Sequence, residues 1–123
     1  MNFLRHAGLA GAAFVVAACA STPPPTAQMA VSAAAVSRAA GAGAPAGAPV
    51  EMSTARDKMA QANLAMSNKD YDKARMLALE AQNDAQLAEA KTETAKANKA
   101  AAEMQESTRV LSEELARKAR SPQ

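Results

Sequence analysis

The chain has 123 residues, the size of one domain, with 49% hydrophobic residues but only 2% aromatic ones. Alanine supplies much of that hydrophobic share; it is the strongest helix former and buries little surface, so local helix preference is strong and tertiary attraction weak. A formal charge of +2, with acids and bases interspersed and few aromatics, excludes a nucleic-acid footprint, and a single cysteine excludes an internal disulfide.

The first elements read as a secretory signal. Met1 to Gly8 carry Arg5 and His6, Leu9 to Val16 run apolar, and small residues follow at Ala17 and Ala18. The apolar run is too short for a bilayer, which needs about 20 residues. Val16-Ala17-Ala18-Cys19 resembles the bacterial lipobox. That resemblance implies cleavage before Cys19, lipid on its thiol and a covalent lipid anchor as the only non-protein group; no other cofactor is expected. One acyl chain binds a membrane only marginally, whereas two or more hold it. Ala20 lacks the aspartate that marks inner-membrane retention in lipoproteins of Gram-negative bacteria. The expected location is therefore the outer membrane, facing the periplasm.

Cleavage would remove residues 1–18, and with them His6, Phe3 and Phe14. The remainder would hold one aromatic residue, Tyr71, and one cysteine, itself acylated. Without an imidazole or a free thiol there is no activated nucleophile of the usual kinds and no zinc cluster. Asn68 to Asp72 resembles the start of a calcium loop, but Lys73 stands where the turn glycine belongs and Leu79 where the bidentate Glu belongs. Glu113 and Glu114 are adjacent on a helix and do not face each other. No catalytic or metal site is expected.

Beyond the cysteine, residues 19–28 include Pro23-Pro24-Pro25 and read as a disordered tether. A first helix is expected over 29–40, with Met29, Ala33, Val36 and Ala40 on one face. Residues 41–49, rich in Gly and Pro, read as a loop. A second helix over 50–67 carries Met52, Ala55, Met59, Ala62 and Met66 at helical spacing. Asn68 can adopt the left-handed conformation that ends a helix, and Asp70 can cap the next. One continuous helix through this point is the alternative. The last helix is expected over 70–118, with Ala74, Ala78, Ala81, Ala85 and Ala88 facing the second in an antiparallel hairpin. Past Ala88 the phase changes. Ala97, Ala101, Met104, Thr108, Leu111 and Leu115 form a second stripe that the hairpin is too short to cover. It needs the first helix, another copy or a partner. Glu113 with Arg117 and Glu114 with Lys118 are spaced for ion pairs, and the basic residues at the end oppose the helix dipole. The expected class is all-α: a helical hairpin with a long C-terminal helix, in a three-helix arrangement spanning 29–121.

Lys69-Asp70-Tyr71, with Ala74, Ala78 and Ala81, resembles the second helix of a tetratricopeptide repeat, over one repeat only. A closer likeness, carried by Ala55-Arg56-Asp57-Lys58-Met59, Ala74-Arg75, Glu80-Ala81 and Asp84 to Ala90, is to a family of Ala-rich bacterial lipoprotein domains, domain of unknown function family 4398. It spans Met29 to about Gln105. It implies an envelope location and three helices. Relatives in that family often carry a peptidoglycan-binding domain after the helices, for which this chain is too short. The murein lipoprotein is similar in being an Ala-rich, self-associating helix, but its terminal lysine is absent here. The functional expectation is a non-enzymatic structural or adaptor lipoprotein with a protein partner, or a self-associating coiled-coil spacer touching peptidoglycan without a covalent bond.

Overall fold

A computed structural model of the protein describes residues 22–121. Of these, 89% are helical and none lies in a strand, so the chain is all-α. The elements are α1 (Thr26–Gly41), the single-turn α2 (Ala44–Gly47), α3 (Pro49–Ser67) and α4 (Tyr71–Arg120).

The first helix starts earlier than its sequence suggests. Residues up to 28 read as tether, yet α1 begins at Thr26 and Pro25 is buried. The Pro25 carbonyl accepts the first helical bond, from Met29 N–H at 3.0 Å. A proline can sit there because the first-turn amides of a helix have no intrahelical partner. The face also differs in phase. Met29 is buried as expected, but Ala33 is exposed and Val36 and Ala40 are half-buried. Ser32, Ala35 and Ala39 take the inner positions instead. Ser32 is tolerated there because its Oγ accepts a hydrogen bond from Gln28 Nε2 at 3.0 Å.

The Gly/Pro segment is likewise not all loop. Gly43, at φ 89°, turns the chain into α2, and Pro45 and Pro49 stand in the first turns of α2 and α3. Pro is well suited to those positions. Gly47 lies against α4 so closely that a Cβ there would fall 2.6 Å from Thr92 Oγ1 and 2.7 Å from its Cγ2.

Helices α3 and α4 form the antiparallel hairpin. The turn between them satisfies the open carbonyls at the end of α3: Lys69 N–H donates to Met66 O and Asp70 N–H to Ala65 O. The left-handed residue is Lys69, at φ 60°, whereas Asn68, at φ −81°, is not. Asn68 N–H still closes a regular helical bond to Leu64 O, so the reversal falls one residue later. Asp70 Oδ1 accepts from Lys73 N–H at 3.3 Å and caps α4, as its position predicts.

The core is built of small residues. Ala74, Ala78, Ala81, Ala85 and Ala88 of α4 are all fully buried, as are Ala55 and Ala62 of α3. Met52 is the large side chain that fills the centre, while Met59 and Met66 close its edge. Helix α1 docks on both α3 and α4, completing a three-helix bundle. Its pairs fix its direction. Gln28 bonds Gln82, Arg38 bonds Glu89, and the Ala42 carbonyl accepts from Lys96. Helix α1 therefore runs parallel to α4, and α3 runs against both.

Candidate functional surface

The bundle has two distinct ends. At the first lie the α3–α4 turn and the incoming chain, where Thr22 Oγ1 donates to Asp72 at 3.4 Å. At the second sit α2 and the Gly47–Thr92 contact. Helix α4 does not stop at the second end. Thr92 is its last buried residue, and from there to Arg120 it projects roughly 40 Å, at 1.5 Å per residue.

All six residues of the second stripe, Ala97, Ala101, Met104, Thr108, Leu111 and Leu115, lie on this projection and all are exposed. Met104 keeps 71% of its surface in water, Leu111 61% and Leu115 60%. Helix α1, one of the elements the sequence offered as cover, packs lower down instead. The stripe points nearly opposite to the bundle side of α4, because its phase lies about 150° from that of the buried alanines at 100° per residue. Leu87, Leu79 and Met76, also exposed, lie on this outward side. The sequence reading missed them, although their spacing carried the signal.

Most charges of the projection lie on its other flanks, many of them paired within the helix. Arg109 forks to Glu106, at 2.6 and 3.0 Å, and reaches Glu113 at 2.5 Å. The Arg109 guanidinium holds the Glu106 carboxyl below its usual range, and Glu106 in turn raises Arg109. Glu113 thus pairs backwards with Arg109, not forwards with Arg117 as its spacing suggests. Arg117 bonds Glu114 at 2.9 Å, and Lys118 lies 4.0 Å from the same carboxylate.

Four ion pairs, two of them made by Lys58, clamp the bundle from outside. Lys91 of α4 bonds Glu51 of α3. Lys58 lies 2.8 Å from Asp84 and 3.1 Å from Glu80. Arg38 bonds Glu89 at 2.9 Å. The Asp84 Oδ2 atom facing Lys58 is buried and without a well-aligned hydrogen bond, so the nearby ammonium is its compensation. A shallow concavity of about 150 Å³ beside the α3–α4 turn, lined by Gln61, Leu64 and Asn68 among others, is smaller than an ordinary ligand pocket. Among the described residues no group of three or more His, Cys, Asp or Glu could hold a metal ion, and no helix is long and apolar enough to cross a membrane. Cys19 and the lipobox residues Val16, Ala17 and Ala18 lie outside the described residues.

The family model described as Domain of unknown function (DUF4398) matches residues 27–104. The chain belongs to this family. The matched span takes in the whole bundle and the base of the projection, and stops at Met104. The family's region therefore takes in the α1–α3–α4 packing unit and the stripe as far as Met104, with Thr108, Leu111 and Leu115 beyond it. No curated protein and no solved structure matches the chain significantly.

Proposed function

We propose that this member of the family is a non-enzymatic lipoprotein of the cell envelope. Lipid on Cys19 anchors it to the outer membrane, facing the periplasm, and its role is structural or that of a protein-interaction adaptor. The observation that carries the reading is the opposed placement of the chain's start and its exposed apolar face. Thr22 sits beside Asp72 at the foot of α4, and Cys19 is three residues earlier, a stretch of at most ~10 Å. From Asp72 to Arg120, α4 spans roughly 70 Å. A chain held at Cys19 keeps its foot at the membrane and carries the exposed stripe away from it. The sequence before Cys19, basic, then apolar, then small, supports the anchor itself.

The test is metabolic labelling with a clickable palmitate analogue in a Gram-negative host, followed by membrane fractionation. The native chain takes up label and fractionates with the outer membrane, and Cys19→Ser loses both. Label retained by Cys19→Ser, or none on the native chain, refutes the anchor.

A further inference from the structure

We infer that the foot half of the bundle is a redox-sensitive latch: oxygen transfer from hydrogen peroxide to Met59 and Met66 releases the first two turns of α1 and leaves the α3–α4 hairpin closed. The core divides into two clusters. Towards α2 it is alanine around Met52, which keeps only 1% of its surface in water. Towards the foot it is Met29, Ala62, Leu77 and Ala78, with Met59 and Met66 packed half-buried against them. Leu77 apart, the large side chains of this second cluster are methionines. Their thioether sulfurs are apolar until an oxidant reaches them, and strongly polar afterwards.

The step is an atom transfer. The O–O bond of the peroxide breaks, one oxygen bonds to the sulfur, which gives up two electrons, and the other oxygen leaves as water. Met29, Ala62, Leu77 and Ala78 offer the new sulfoxide oxygen no strong side-chain donor. Each oxidised side chain must therefore turn out to water or leave a buried acceptor unpaired. Met59 and Met66 can turn, since both already reach the surface. The cluster that seats Met29 then loses its edge. This end of α1 has few other ties. It has no side-chain cap and no acidic residue in its first turn, and its polar link across the bundle is Gln28 to Gln82 at 2.9 Å. A helix of this length is marginal in water without packing. The far end of α1 is held independently, by Ala35 and Ala39 in the Met52 cluster, by Arg38 on Glu89 and by Lys96 on the Ala42 carbonyl. The hairpin keeps its buried alanines, its turn bonds and the ion pairs of Lys58 and Lys91. Opening is thus confined to residues 26–33.

The experiment is hydrogen exchange read by peptide mass spectrometry on the full-length chain carrying Cys19→Ser, after increasing times in hydrogen peroxide. The same peptides report sulfoxide at each methionine. Met76 and Met104, 52% and 71% exposed, should oxidise first and leave exchange unchanged. As Met59 and Met66 follow, amides of residues 26–33 should exchange roughly tenfold faster, while those of the hairpin and of residues 35–41 stay within about twofold. Met76→Leu with Met104→Leu should keep this response, and Met59→Leu with Met66→Leu, which nearly conserves volume, should lose it. Met59→Gln with Met66→Gln, polar without any oxidant, should show the fast exchange untreated. Should the leucine pair at 59 and 66 fail to fold, the native time course and the glutamine pair still decide. Unchanged exchange at residues 26–33 once Met59 and Met66 carry oxygen overturns the latch. So does a rise that tracks Met76 and Met104, an equal rise in α1, α3 and α4, or resistance of Met59 and Met66 to oxidation throughout.

Discussion

Gly47→Ala is the substitution whose outcome the packing fixes most sharply. In a helix, replacing Gly by Ala ordinarily stabilises by up to about 1 kcal/mol. At Gly47 the added carbon would lie 2.6 Å from Thr92 Oγ1, 2.7 Å from its Cγ2 and 2.9 Å from its Cβ. Thr92 cannot easily give way: it is buried, and its hydroxyl donates to the Ala88 carbonyl at 2.8 Å. Either α2 lifts from α4 or Thr92 leaves its rotamer. Overpacking of this kind costs about 1–3 kcal/mol. Set against the propensity gain, the net loss is about 1–2 kcal/mol. At roughly 4–8 °C per kcal/mol for a domain of this size, Tm falls by roughly 5–15 °C. The assay is a thermal melt followed by far-UV circular dichroism. Thr92→Ala removes two of the three clashing atoms. Alone it costs about 1 kcal/mol through the lost hydrogen bond and methyl group, and with Gly47→Ala the combined loss should be smaller than the sum. A Gly47→Ala chain that melts at or above the native temperature refutes the reasoning, and strict additivity with Thr92→Ala removes Thr92 as its cause.

Lys69→Gly should stabilise the protein by about 1 kcal/mol, because Lys69 holds the left-handed position that glycine occupies without strain; a lowered Tm counts against that account of the turn. Lys58→Met should lower Tm by more than Lys99→Met, since only the former strips a buried carboxylate oxygen of its compensating charge, and equal shifts would show that Asp84 is compensated otherwise. The Lys91 hydrogen bond holds the Glu51 carboxyl below its ordinary range, so its contribution is present above the unfolded-state pKa of about 4.3 and is lost as pH falls through the lower folded value. Glu51→Gln should therefore be less stable than the native chain at neutral pH, with the gap closing in acid; a gap unchanged at low pH assigns the effect to packing.

Two features of the bundle were legible because they rest on local physics. The buried alanines of α4 repeat at helical spacing, and Asp70 stands where an N-cap must stand. The start of α1 was not legible, because three consecutive prolines read as an extended segment although one of them can close a helix's first turn. Its phase was hidden by composition: among Ala33, Ala34 and Ala35 hydrophobicity does not distinguish the inner residue, and the partner that makes Ser32 acceptable inside is another polar side chain. The docking of α1 depends on pairs such as Gln28–Gln82, more than fifty residues apart, which no local pattern announces. On the candidate surface, the spacing located the uncovered stripe. That it points away from the bundle follows from where α1 and α3 sit on α4.

One unbroken helix joins the foot of this molecule to its tip. That makes α4 a lever. A tilt of about 5° at the bundle would sweep Arg120 sideways by roughly 6 Å, more than the spacing of a helical turn, over the roughly 70 Å from Asp72. A small change in how the foot sits would then be felt at the far end as a displacement of the tip.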